Sequence, residues 1–250
     1  MCGRYVSARK HQDLLEEFQV QADHVAEPLE PDYNVAPTRN VYAVLTRRER
    51  GPAPEGDAPG RAGPASVAGV PDAAAAARDD AADRPVTRQL RVLHWGLVPS
   101  WAKDLSLSGK LINARAETVA VKPSFRQAFA RRRCLLPADG YYEWQAADGA
   151  GSGGRVRKQP FYMSARDGRA LALAGLYELR RMPDLPADHP DAWLWTTTII
   201  TTRATDDVGH IHDRMPMIIE PGNWARWLDP ARTGLDDLNG LLVPAASAGL

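Results

Sequence analysis

The residues in this chain whose types and spacing suit chemistry begin at its first position, Met1-Cys2-Gly3-Arg4-Tyr5. An initiator Met followed by a residue as small as Cys is normally trimmed, and trimming would make Cys2 the first residue of the mature chain. Such a residue carries an α-amine of unperturbed pKa about 8 beside a thiol of pKa about 8.5, both partly in the free-base form near neutrality. An aldehyde meeting this pair forms an iminium with the amine, and the thiol then closes a five-membered thiazolidine, which no internal cysteine can do. Further along, Glu143 stands between Tyr142 and Trp144, where a partly desolvated carboxyl would have a raised pKa and act as acid and base near neutral pH. The bland alternative is an exposed strand carboxylate. His212, beside Asp213 and Arg214, has the type to polarise a substrate oxygen or shuttle a proton. His210 competes for that role, and a pair at this spacing also has the look of metal ligands, but no third ligand is in sight, which argues against a metal. Asn113 and Asn34 can orient a nucleophile or simply form turns. Trp95 and Trp101 can stack on bases or lie buried.

These residues need a scaffold, and the sequence implies one made chiefly of strands. Ser7 is placed to cap a helix through Leu14, Leu15 and Phe18. Three prolines from Pro28 to Pro37 predict an extended loop around Tyr33-Asn34-Val35-Ala36. Val41 to Thr46 reads as a strand, and strand-like alternation resumes at Leu90 to His94, leading into Trp95-Gly96-Leu97-Val98-Pro99. Between them, 28 of the 35 residues from 51 to 85 are Ala, Gly, Pro or Asp, and none is aromatic. That composition predicts a disordered insertion bulging from a hairpin, within a single domain spanning 1–250. Pro123 is placed to open a helix with Phe125, Ala128 and Phe129 on one face. From Arg115 to Arg133 there are six basic residues and one acid, which suits either a phosphate backbone or a solvated helix face. Cys134-Leu135-Leu136 and Tyr141 to Trp144 read as strands joined by the turn Pro137-Ala138-Asp139-Gly140, with Tyr141 and Glu143 on one face and Tyr142 and Trp144 on the other. Further strands are expected at Phe161–Ser164, Ala170–Leu176, Trp193–Thr201 and Met217–Ile219. Gly209 to Pro216 should be a polar loop, and short helices are expected around Trp224 and Leu235. The fold class is α+β, with a strongly curved, barrel-like antiparallel sheet and peripheral helices.

Bulk properties narrow the function. At 250 residues the chain can bury a sizeable core, and its 31 basic and 31 acidic residues leave no net field to attract nucleic acid or membrane, so any such partner must be met by a local patch. Two cysteines, Cys2 and Cys134, make no disulfide framework and fit a reducing compartment. There is no apolar leader and no run long enough to span a bilayer, so the expected location is the cytoplasm. No paired Cys-x-x-Cys, His-Glu-x-x-His or Gly-rich phosphate loop is present, so neither a metal nor a nucleotide cofactor is expected.

Taken together, the segments Met1–Tyr5, Tyr33–Pro37, Trp95–Trp101, Ile112–Thr118, Pro137–Trp144 and His212–Pro216 occur in the order seen in the SOS response-associated peptidase (SRAP) family, and the chain resembles that family over nearly its whole length. The resemblance implies a DNA-repair protein that shields abasic sites in single-stranded DNA through covalent attachment by its N-terminal cysteine, and a location on the nucleoid when bound to DNA. It implies a nucleophilic Cys2 supported by Asn113, Glu143 and His212. Contacts to DNA are implied at Arg4, Asn34, Trp101, Arg115 and Arg214, in a monomeric protein without cofactor. A lyase step through the iminium and an autopeptidase activity are compatible with the same site. Two departures stand out: the insertion is longer than the corresponding loop in the family, and the chain stops soon after Leu241-Leu242-Val243, where relatives continue. Two rival readings are a thiol peptidase using Cys2 with Glu143 or His212 as base, and a non-covalent reader of modified bases that works by aromatic stacking.

Overall fold

The computed structural model describes residues 2–48, 85–150, 156–182, 184–186, 189 and 192–244. The chain divides into two compact units, Met1–Thr46 with Arg88–Leu250, and Arg47–Thr87. The expected insertion falls in the second, and its residues 51–84 lie outside the described residues.

Among the described residues, twelve strands run in chain order as β1 (Tyr5–Ser7), β2 (Ala22–Asp23), β3 (Asp32–Val35), β4 (Asn40–Arg48), β5 (Val86–Trp95), β6 (Asn113–Arg115), β7 (Arg133–Ala138), β8 (Gly140–Ala150), β9 (Val156–Met163), β10 (Leu171–Arg181), β11 (Trp193–Arg203) and β12 (Arg214–Pro216). The helices among the described residues are short: α1 (His11–Glu17), α2 (Arg126–Arg131), α3 (Asp206–Gly209), α4 (Trp224–Leu228) and α5 (Leu235–Asn239). One sheet has the order β3-β1-β8-β9. In the other, β11, β10, β7, β4 and β5 follow one another, and a pairing of β5 with β11 closes these five strands into a barrel. The expected barrel-like sheet is present, and the pairing that closes it is parallel, Thr196 opposite His94 and Thr197 opposite Trp95.

Every residue of β7 is buried, because both faces of this strand are covered. Alternate positions such as Val41, Ala43, Leu93, Trp95, Cys134 and Leu136 join Cys2, Tyr5 and Tyr141 in one core cluster. The intervening positions, among them Tyr42, Val44 and Leu135, pack with Leu14, Phe18, Phe129 and Trp227 from the helices in another. A period of two on strands covered on both sides therefore divides the apolar residues between two cores.

Several local expectations differ from the structure. Ser7 ends β1 and caps nothing; α1 begins at His11 after Lys10, whose side chain makes no cap. Part of the proline-rich stretch is strand β3, recruited as an edge partner of β1 with Tyr5 opposite Val35. The helix after Pro123 starts only at Arg126, since Phe125 is still non-helical. Met217–Ile219 contributes a single bridge, Leu173 to Ile218, and the strand lies earlier, at Arg214–Pro216. Most consequential, β7 and β8 are not a hairpin. β7 pairs with β10 and β4, whereas β8 pairs with β1 and β9. Asp139 sits at the change of sheet, where its Oδ2 accepts the Ala8 N–H at 2.7 Å and its Oδ1 lies 3.1 Å from the Arg9 guanidinium. Gly140 follows because a Cβ there would lie 2.4 Å from the Met163 carbonyl oxygen.

Candidate functional site

The site is assembled by two strand systems. In the first, β1 and β8 pair with Tyr5 opposite Tyr141, and the Tyr142 N–H donates to the Arg4 carbonyl at 2.9 Å. This register runs Cys2 back along the segment that carries Glu143. In β8 the alternation is as the sequence predicts: Tyr141 and Glu143 are buried, while Tyr142 and Trp144 are partly exposed. Glu143 is 3% exposed and Cys2 is 0% exposed.

In the second system, β11 holds β6 on one side and β12 on the other. Asn113 lies opposite Ile199 and Arg115 opposite Thr201, while Thr201 also pairs with Pro216. These pairings bring two sequence-distant motifs to one strand end. The Asn113 Nδ2 donates to the Cys2 carbonyl at 2.8 Å, which joins the two systems. A second tie runs from Gln145 on β8, whose Nε2 donates to the His210 carbonyl at 2.9 Å and so anchors the loop bearing His212. The His212 Nδ1 accepts the Arg214 N–H at 2.9 Å. The Asp213 carboxylate is also 2.9 Å from this nitrogen, but its side chain is 86% exposed and can turn to solvent. A fixed backbone donor makes Nδ1 the acceptor and leaves the ring proton on Nε2.

The electrostatics centre on Cys2. Burial pushes its thiol up to about 12, and the Glu143 carboxylate adds to the shift. The thiol is therefore protonated at neutral pH with a carboxylate in electrostatic reach. Burial, and then the Cys2 charge, also raise the phenols of Tyr5 and Tyr141; Asp32 adds to the first and Glu143 to the second. These two tyrosines did not stand out in the sequence as site residues, although alternation had already put Tyr141 on the face of Glu143.

The expected DNA-contacting residues form a looser group. Arg4 donates to the Asn34 Oδ1 at 3.0 Å on the exposed edge formed by β1 and β3. Trp101 is 59% exposed and Arg115 is exposed, whereas Trp95 is fully buried, packs edge-on against Tyr5 and donates from its indole to the Ile112 carbonyl at 3.0 Å. Trp95 is therefore a core residue. Arg214 is held by Glu117 at 2.5 and 3.1 Å and by the Thr201 carbonyl at 2.6 Å. The basic run is also partly absorbed by the fold. Arg132 bonds Glu178 at 2.6 Å, and Arg133, 3% exposed, donates to carbonyls of the helices flanking β7, including Trp227 at 2.7 Å and Phe129 at 2.8 Å. Among the described residues, no group of three or more His, Cys, Asp or Glu is arranged to hold a metal ion, and no helix is long and apolar enough to cross a membrane.

A two-sheet fold with a barrel, carrying an N-terminal Cys segment gripped by an Asn and faced by a buried Glu, corresponds to a known family. The chain belongs to the SOS response associated peptidase (SRAP) family, whose model matches residues 1–250. It is 34% identical over 244 residues to the abasic site processing protein YoqW of Bacillus subtilis, covering 98% of this chain and 87% of that one. It is also 33% identical over 182 residues to the abasic site processing protein HMCES of Gallus gallus, covering 63% of this chain and 50% of that protein. A crystal structure of a Bordetella bronchiseptica protein shares the fold with a TM-score of 0.65 at 20% identity, covering 100% of this chain and 99% of that one.

Proposed function

We propose that this chain processes abasic sites in DNA, and does so in single-stranded DNA by a thiazolidine crosslink between Cys2 and the ring-opened deoxyribose. The observation that carries the reading is the treatment of Cys2: Asn113 grips its carbonyl while Glu143 lies within electrostatic reach of its thiol. Removal of Met1 frees the α-amine. The amine attacks C1′ of the open-chain aldehyde, a proton is taken up, and water leaves as the iminium forms. The thiol sulfur then adds to the same carbon, its proton passes to Glu143, and the nitrogen recovers its electron pair. One water is released overall.

A thiol with a pKa near 12 does not attack as a preformed thiolate, so a proton acceptor beside it is what this step requires. His212, with its proton on Nε2, donates to the sugar ring oxygen as the ring opens. Arg4, Asn34, Arg115 and the Trp101 loop meet the strand, and Arg214 adds its charge from its bridge to Glu117. The ring gives a link that survives salt, unlike phosphate contacts of about micromolar strength or weaker. Cleavage of the chain's own N-terminus is less well served, because the Asn113 bond is to the Cys2 carbonyl and not to the Met1–Cys2 peptide that would be cut.

The test is denaturing electrophoresis of protein shown by mass to begin at Cys2, mixed with single-stranded DNA carrying one abasic site. A band that resists heat and salt is expected, absent with Cys2→Ala or a blocked N-terminus. Cys2→Ser keeps the amine and should give strand cleavage by β-elimination in place of a lasting link. Absence of any band from the correctly processed parent would rule the reaction out.

A further inference from the structure

Tyr5 and Tyr141 face each other across β1 and β8. Both are 0% exposed, and neither hydroxyl has a hydrogen-bond partner among the described residues. Two unpaired phenols side by side are unusual in a native core, because a buried hydroxyl that gives up water without gaining a partner destabilises the fold. Phenylalanine would fill the same volume without that cost. The rings are not loosely placed: Trp95 lies edge-on to Tyr5 with centroids 5.4 Å apart, and both tyrosines belong to the core cluster that contains Cys2. A third buried atom without a partner, the Asn113 Oδ1, belongs to the side chain that holds the Cys2 carbonyl. Others of this kind, such as the Thr118 and Thr198 hydroxyls, lie elsewhere in the fold, but the two phenols and the Asn113 oxygen share the surroundings of Cys2. Burial, the main cause, holds both phenols in the protonated form, so each can donate as well as accept.

Resting on the function proposed above, we propose that the Tyr5 and Tyr141 hydroxyls are the hydrogen-bond partners of the hydroxyl that ring opening frees on the abasic sugar, so that the Cys2 site selects a hydroxylated aldehyde over a plain one. One phenol donates to that hydroxyl and the other accepts from it, which satisfies all three groups only when the sugar is in place. A site built to bond a substrate hydroxyl rejects an analogue without it, because its own polar groups are then left unpaired. The two tyrosines determine specificity and take no proton in the reaction.

The experiment compares two single strands, one with a natural abasic site and one with a straight-chain aldehyde at the same position lacking the hydroxyl. Each is reacted with the parent protein and with Tyr5→Phe, Tyr141→Phe and the double variant, all beginning at Cys2. Each single variant should crosslink the abasic strand about tenfold more slowly. The plain aldehyde should react within about twofold of the parent rate, and the Tm should equal or exceed the parent's, since an unsatisfied hydroxyl has been removed. Undiminished rates on the abasic strand would overturn the inference. So would an equal loss on both strands with a lowered Tm, which is the signature of a purely structural role. A parent that links neither strand would overturn the proposed function and this inference with it, whereas failure in the Phe variants alone leaves the function standing.

Discussion

Cys2 and Cys134 are both free, both fully buried, and both held near a thiol pKa of about 12, mainly by burial. Their surroundings differ in kind. Cys134 lies in the barrel wall on β7, its sulfur 3.4 Å from the Thr197 hydroxyl, which in turn donates to the Leu176 carbonyl at 2.9 Å. Across the strand pair it meets Gly175, where a Cβ would lie 2.9 Å from the sulfur. The hydroxyl beside this sulfur is satisfied, and the close approach at Gly175 leaves no room for a side chain there. Around Cys2 there is instead a carboxylate, an Asn that grips the backbone, and two phenols without partners. Burial silences a thiol in either place; a base in reach and unsatisfied groups around it are what give one of the two a possible reaction.

The sharpest test of that contrast is Glu143→Gln, which keeps the shape and removes the acceptor. Crosslinking at single turnover should slow by about a hundredfold or more, with Cys2 still accessible to alkylation in the unfolded chain. An unchanged rate would erase the distinction between the two thiols. Next in size is Arg133→Met, which removes a buried guanidinium from carbonyls that close the helices over β7. It should cost about 3–5 kcal/mol in denaturant unfolding, while the crosslinking rate per folded molecule stays within about twofold, since this core lies on the other face of the wall.

The pH dependence follows from both thiols. Each folded-state pKa is raised, so their stability contribution is complete below the unfolded value near 9 and is lost as pH rises through about 12. The unfolded chain gives up these protons first, so stability falls by about 1.4 kcal/mol per pH unit per thiol in that window. Thermal melts from pH 9 to 11 should show a shallower decline in Cys2→Ala and in Cys134→Ala. Parallel slopes in all three proteins would contradict the shared burial. Smallest of all, Cys134→Ala should cost about 1 kcal/mol at neutral pH through lost packing and leave crosslinking intact by electrophoresis.

Much of this was open to reading from the chain, for identifiable reasons. Tyr141 and Glu143 share a face because side chains alternate along any strand, and Cys2, Asn113, Glu143 and His212 each sat in a short motif rich in polar residues. Local chemistry misled where pairing decided. Pro137-Ala138-Asp139-Gly140 has the composition of a hairpin turn, yet Asp139 bonds Ala8 and sends the chain into a different sheet. Asp32–Val35 has proline-rich flanks but becomes a strand because β1 offers it an edge. The six basic residues from Arg115 to Arg133 look alike in sequence, although Arg133 is buried in carbonyls and Arg132 is paired with Glu178.

By itself the sequence determined which groups are present and which faces they occupy: a Cys at position 2, a Glu on the buried side of a strand, and alternation that loads both faces of the barrel wall. Only the tertiary structure decided which of these groups meet. The Asn113 bond to Cys2 spans 111 positions of sequence and depends on β6 lying parallel to β11, while Tyr5 meets Tyr141 only because β1 joins β8. Periodicity is a local property of the backbone, whereas contacts between distant segments are set by register and by the packing of one sheet on another, which no short window of sequence contains.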